Sequence, residues 1–174
     1  MAELAPKDRL QPSLLDRLTD EEPDHAVESR ERRVLSIRTL RDGVLRDLAW
    51  LLNTGNLFST QDLGRHAHAA SSVVNYGIPD ISGLSMAGLK QNDLERGIRQ
   101  AIWDFEPRLI RSSVTVKAAA PGKQAGALPS SNHKIVFEIE ADLWAQPYPE
   151  RLYLKTELDI DRGTIRLTEM AGQR

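Results

Sequence analysis

The chain has no cysteine, only three tryptophans and three phenylalanines, and no surplus of basic residues. Each shortage excludes something. Without cysteine there are no disulfides, thiol nucleophiles or thiolate metal sites, a composition that fits a reducing cytosol. The longest unbroken apolar run is the five residues Leu48 to Leu52, whereas a bilayer-spanning helix takes about 20. The opening residues, Met1-Ala2-Glu3-Leu4-Ala5-Pro6, show no basic region leading into an apolar stretch, so no secretory signal is expected. Lys and Arg number 23 against 25 Asp and Glu, a net charge of -2 that makes no case for a nucleic-acid partner.

What is present suits a globular protein. At 174 residues the chain is long enough for one domain of about 100–150 residues plus an extension. A chain of this length buries about 70% of the surface exposed when unfolded, enough for a core without staples. We read residues 1–35 as the extension and 36–174 as a single domain. In the extension, Ser13 starts a short helix with Leu14, Leu15 and Leu18 on one side, and the acidic run Asp20 to Asp24, with Pro23 inside it, breaks it. So short an amphipathic helix is unstable alone and must dock on the domain or on a partner.

Ile37, Leu40, Val44, Leu45, Leu48, Leu51 and Leu52 mark one continuous helix face. Gly43 lies inside that pattern at a cost of about 1 kcal/mol relative to Ala, which points to close packing. Asn53-Thr54-Gly55 supplies residues that tolerate a left-handed helix end. Periodicity is weakest over 56–90, where Asn75 to Asp80 is turn chemistry. A second helix starts near Asn92 or Asp93, buries Leu94, Ile98, Ala101, Ile102 and Phe105, and stops before Pro107. From Arg111 the period falls to two, giving strands around Val114–Ala118, Ile135–Leu143 and Leu152–Ile160, and a last short one from Ile165. Asp161-Arg162-Gly163 makes the final pair a hairpin. The Ala119 to Asn132 segment, rich in Ala, Pro, Gly and Ser, reads as a mobile loop. The expected fold is α+β: two main helices on one face of a C-terminal antiparallel sheet of about four strands.

Chemistry-bearing patterns are sparse. His66 and His68 can share a strand face, but His25 and His133 are far off and no thiol completes a zinc set, so no metal site is assigned. There is no serine elbow and no glycine-rich phosphate loop. The tryptophans Trp50, Trp103 and Trp144 read as core or interface anchors. Glu106-Pro107-Arg108 stands apart. Pro107 stiffens the exit of the second helix, and in an extended chain the carboxylate of Glu106 and the guanidinium of Arg108 lie side by side. They grip either a partner or each other; the bland alternative is an exposed pair contributing about 0–1 kcal/mol. A glycosidase would need convergent carboxylates about 5–9.5 Å apart. Asp104 and Glu106, two apart on a helix, point to nearly opposite sides.

Four segments together resemble one family. They are Leu14-Leu15-Asp16-Arg17-Leu18, the run Arg38 to Leu48 continuing through Leu51-Leu52-Asn53-Thr54, Ser72 to Asp80 (SVVNYGIPD), and Phe105-Glu106-Pro107-Arg108-Leu109. This set is similar to TssE, the type VI secretion baseplate subunit akin to a small wedge protein of contractile-phage baseplates. The likeness runs from about Leu10 to the C-terminal hairpin. It implies a structural, non-enzymatic subunit without cofactor, working in the cytoplasm at the inner face of the cytoplasmic membrane. Its partners would be the wedge proteins TssF, TssG and TssK and the contractile sheath, with no nucleic acid and no membrane insertion. The resemblance makes Glu106, Pro107 and Arg108 the partner-binding motif that fastens the domain to the helical core bundle of the wedge. It also has the C-terminal strands pair with sheath strands and help to start sheath assembly, as an exposed sheet edge can. His66 to Ala70 has no counterpart in the family. The rival readings are a peptidoglycan-cleaving, lysozyme-like enzyme using Glu106, and a generic adaptor domain.

Overall fold

A computed structural model describes residues 12–19, 37–80, 91–119, 134–145 and 149–170. The acidic run at 20–24 and nearly all of the 119–132 segment lie outside these residues. The fold is α+β. Helix α1 spans Leu14–Leu18, α2 Ile37–Leu52, α3 Ala67–Ala70 and α4 Gln91–Phe105. Strands β1 (Thr115–Ala118), β2 (Lys134–Leu143), β3 (Glu150–Asp159) and β4 (Thr164–Glu169) form one sheet in the order β1-β2-β3-β4, each pair antiparallel.

The two long helices owe their position to the stripes seen in the sequence. Leu40, Val44, Leu48, Leu51 and Leu52 of α2 and Leu94, Ile98, Ala101 and Ile102 of α4 join Phe137, Ile139, Leu152, Leu154 and Leu158 of the sheet in one core. Burying each large aliphatic side chain contributes about 1.5–3 kcal/mol relative to leaving it exposed. Register keeps the core face consistent: Phe137 stands opposite Thr156, Ile139 opposite Leu154 and Ala141 opposite Leu152. Thr156, polar and buried on that face, donates its hydroxyl to the Phe137 carbonyl at 3.1 Å. Val136 is buried too, although it lies on the opposite face of β2, so that face is not uniformly polar. The β3–β4 connection is the tight turn expected, with Gly163 at φ 62°.

Several local expectations are corrected. The end of α2 is not closed by a left-handed residue, since among the described residues no non-glycine has positive φ and the glycines that do are Gly77 and Gly163. Side chains close it instead: Asn53 Nδ2 donates to the Ala49 carbonyl at 2.8 Å, and Thr54 Oγ1 to that of Trp50 at 2.7 Å. His66 and His68 do not sit on a strand; His66 precedes α3 and His68 lies within it. Trp50 is exposed. Trp103 donates its indole N–H to the Arg111 carbonyl at 2.9 Å, with the guanidiniums of Arg99 and Arg111 against its ring.

The weakly periodic stretch after α2 folds back onto that helix. Asn56 N–H donates to the Ile78 carbonyl and Ile78 N–H to the Thr54 carbonyl, both at 2.9 Å. This return demands glycine at position 77. Its φ is 121°, and a Cβ there would lie 2.2 Å from the Thr54 carbonyl oxygen. The fold-back carries Tyr76 over the middle of α2.

Candidate functional site

Glu106 leaves α4 with its amide still bonded to the Ile102 carbonyl at 2.9 Å. The chain then turns rather than extending, with Leu109 N–H on the Glu106 carbonyl at 3.2 Å. Proline suits the second position of such a turn because its ring presets φ, and this overrides the extended geometry expected from sequence. The turn is tied to the sheet beyond it. Leu109 bridges Leu143, and Trp144 N–H donates to the Arg108 carbonyl at 2.9 Å.

The side-by-side arrangement of Glu106 and Arg108 survives the correction. Arg108 Nε donates to Glu106 Oε1 at 2.7 Å and Nη2 to Oε2 at 2.6 Å, a bidentate fork. The Arg108 amide also reaches Glu106 Oε1, at 3.1 Å. The pair is not exposed, since Glu106 retains 4% of its accessible surface. Pro107, by contrast, is exposed at the tip of the turn.

Sequence reading missed the third member. Arg108 Nη2 also donates to Asp47 Oδ2 of α2 at 2.6 Å. Asp47 Oδ1 in turn accepts from Arg46 Nη2 at 2.8 Å. Arg46 Nη1 meets Asp16 of α1 at 2.5 Å, and Nη2 the Ser13 hydroxyl at 3.0 Å. The result is one chain of charges, Asp16–Arg46–Asp47–Arg108–Glu106, joining α1, α2 and the exit of α4. Periodicity gave no signal for Asp16, Arg46 or Asp47, because they lie off the apolar stripes of their helices.

Electrostatics follow from this packing. Burial alone would lower the Arg108 pKa, but hydrogen bonds and charge from Glu106 and Asp47 outweigh it and hold the guanidinium firmly protonated. Tyr76 is pushed above its usual value by burial and by the carboxylates of Asp47 and Glu106, so its hydroxyl stays neutral. Its ring packs edge-on against Phe105, centroids 5.2 Å apart. Asp16 is held below the ordinary carboxyl value by its hydrogen bond from Arg46, working against burial.

Beside these groups lies a cavity of about 370 Å³, walled by Pro12 and Ser13 ahead of α1, floored by Leu51, Tyr76 and Phe105, and edged by Glu106, Pro107 and Arg108. Arg108 Nη1 is buried without an acceptor among the described residues. A second cleft, about 340 Å³ and lined by Lys134, Glu157, Asp159, Arg162 and Arg166, sits at the hairpin end of the sheet. Its charges are mixed and do not converge on one chemistry.

The arrangement is poor ground for hydrolysis. Glu106 is locked in a fork with Arg108, while Asp104 is exposed and accepts from Gln100 at 2.9 Å, away from Glu106. Glu106 and Asp47 share the Arg108 guanidinium, and Asp47 is paired with Arg46 as well. Among the described residues no group of three His, Asp or Glu is placed to hold a metal ion, and no helix is long and apolar enough to cross a membrane.

All four sequence segments that carry the resemblance meet here: α1 through Asp16, α2 through Arg46, Asp47 and Leu51, the Ser72–Asp80 stretch through Tyr76, and the exit of α4 through Glu106 and Arg108. No curated protein and no solved structure matches the chain. Residues 38–148 match the family described as baseplate wedge protein gp25. With more than half of its length matched, this chain belongs to the gp25 family of baseplate wedge proteins, the family of TssE.

Proposed function

We propose that the chain is a structural subunit of the type VI secretion baseplate wedge, joining the wedge core to the contractile sheath and helping to start sheath assembly. Residues 36–174 are the wedge domain and 1–35 an extension from it. It works in the cytoplasm, in a large hetero-oligomer at the inner face of the cytoplasmic membrane, beside TssF, TssG, TssK and the sheath subunits. It carries out no reaction and requires no cofactor. The observation that supports this reading is the bidentate Glu106–Arg108 turn, tied to α2 through Asp47, within the residues that match the wedge family. A buried charge cluster with no catalytic geometry is what a rigid attachment point requires, because ion pairs fix orientation more than they add stability.

In this reading Glu106 and Arg108 do not reach out singly. They brace the turn, and the partner meets Pro107 and the mouth of the adjoining cavity. The test is a tagged pull-down from the native cell, wild type beside Arg108→Lys, read by mass spectrometry, with thermal melting of both free proteins. Lysine keeps the charge but loses the bidentate fork. We expect wedge and sheath subunits with wild type and their loss with a variant that still melts cooperatively. Wedge subunits recovered equally with both would remove Glu106–Arg108 from the interface. Their absence from the wild-type sample would overturn the proposed assembly.

A further inference from the structure

Helix α1 lies against the edge of the candidate site and is held there by polar contacts. Ser13 and Asp16 form a reciprocal capping box. Asp16 pairs with Arg46 at 2.5 Å, and Arg46 also donates to the Ser13 hydroxyl at 3.0 Å. None of the five residues of the helix is buried. Its seat therefore lacks the apolar burial that fixes α2 and α4, and so short a helix does not hold its shape unaided. Elements with few buried apolar contacts open locally while the rest of a fold stays closed. Residues 20–36 lie between α1 and α2, and at up to about 3.3 Å per residue that length lets α1 leave its seat while α2 keeps its own.

The residues leading into α1 stand at the attachment site. Pro12 and Ser13 wall the cavity that Glu106, Pro107 and Arg108 edge. Of the cavity's lining, Pro12 and Ser13 belong to the weakly held element, whereas Asp47, Leu51 and Phe105 are carried by the two core helices. With α1 seated, Arg108 Nη1 is buried and meets no acceptor among the described residues. A buried donor left unpaired is costly, so a movement that admits water or a partner's oxygen to Arg108 is favoured. We infer that α1 is an autoinhibitory cover: seated, it narrows the mouth of the cavity beside the Glu106–Arg108 turn, and it swings out when a partner engages that turn. The inference rests on the wedge reading above and adds to it a step in which the free subunit is held back until it meets its assembly. The turn survives the release, since Arg46 keeps Asp47, and Arg108 keeps both Asp47 and Glu106.

The test locks and releases the cover in the full-length chain and measures binding to co-expressed TssF and TssG. A Cβ on residue 43 of α2 stands 3.6 Å from Asp16 Cγ, within reach of a disulfide. The chain has no cysteine of its own, so in Asp16→Cys/Gly43→Cys the bridge forms between these two alone. Oxidised, this variant pins α1 in its seat; reduced, it lacks the Arg46 pair and the capping box and lets α1 go. Asp16→Ala releases α1 without a thiol. A cover seated in roughly nine molecules of ten weakens apparent affinity about tenfold. Asp16→Ala and the reduced double variant should therefore bind about tenfold more tightly than wild type, and oxidation should abolish the binding until reductant restores it. Both variants should melt cooperatively, since residue 16 lies outside the core. Equal binding by the oxidised and reduced forms would overturn the inference and leave the wedge reading standing. Weaker binding by Asp16→Ala would make α1 part of the contact rather than its cover, which also overturns it. If wild type and every variant fail to bind these subunits, the wedge reading falls and the cover falls with it.

Discussion

Asp47 accepts from two guanidiniums at once, Arg46 on one oxygen and Arg108 on the other. The two ends of this ladder are not equivalent. At the inner end the side chains of Arg108 and Glu106 are 16% and 3% exposed, whereas at the outer end Arg46 and Asp16 are 33% and 16% exposed, so only the inner pair holds a nearly buried carboxylate. Removing a partner from a buried pair strands a charge and costs about 3–5 kcal/mol, and the more solvated a pair is, the closer its contribution falls to the roughly 0–1 kcal/mol of a surface pair. Urea unfolding should therefore separate the two: Arg108→Ala loses several kcal/mol and Arg46→Ala about one or less. Equal losses would show that the ladder is one cooperative unit. Asp16 adds a pH signature. Its folded pKa is lowered from 3.8, so the unfolded chain binds its proton more readily, and stability rises with pH through that interval. The contribution is complete above 3.8 and vanishes as pH falls through the lower folded value. An NMR titration should place the Asp16 carboxyl below 3.8, and Arg46→Ala should return it there; an unchanged value in the variant would mean that Arg46 is not the cause.

Among the elements, the sheet edges are guarded by single side chains from the helices. At β1, Glu95 of α4 accepts from the Ala118 amide at 2.9 Å. At β4, Asn53 just past α2 meets both outward groups of Ile165, donating to its carbonyl at 2.8 Å and accepting from its amide at 2.9 Å. The carboxamide stands in for one residue of a neighbouring strand, a device that discourages edge-to-edge pairing. Asn53→Ala should speed hydrogen exchange of the Ile165 amide by roughly tenfold or more, while Asn53→Asp, which keeps the acceptor, should hold it near the wild-type rate. No change in the alanine variant would show that the contact does not persist in solution. This contact also marks where sequence reading stops. Leu40 to Leu52 and Leu94 to Ile102 were legible as buried stripes because helix periodicity is local, and the strands were legible by alternation. Asn53 looked like a left-handed helix stop because its role lies 112 residues away, on β4. Likewise Glu106-Pro107-Arg108 was legible as a rigid, charged exit from α4. Asp47 was not, because it stands 61 residues from Arg108 and only the packing of α2 against α4 brings them together.

For the molecule as a whole, the proposed sheath contact requires one edge of the sheet to take an added strand, and the edges differ. β1 is four residues long, and its outward amide at Ala118 is held by Glu95. β4 is six residues long; alternation from Ile165 leaves the backbone groups of Leu167 and Glu169 facing outward beyond the Asn53 cap. Arg41 of α2 holds the carboxylate of Glu169, not its backbone. Two outward residues in succession offer a strand more ladder bonds than the short, capped β1 does, so β4 is the edge on which the sheath strand should pair. The absence of cysteine makes this directly testable, because a single introduced thiol carries the only thiol-reactive label. Thr168→Cys and Thr115→Cys place a label on the open face of β4 and β1 respectively, both at exposed positions. With a short photo-crosslinker in the assembled apparatus, Thr168→Cys should capture a sheath subunit and Thr115→Cys should not. Capture through Thr115→Cys alone would move the contact to β1 and remove any part for the Asn53 cap in the sheath contact. Capture through neither, in an assembly that still contains sheath, would mean that the sheath docks on this protein without extending its sheet.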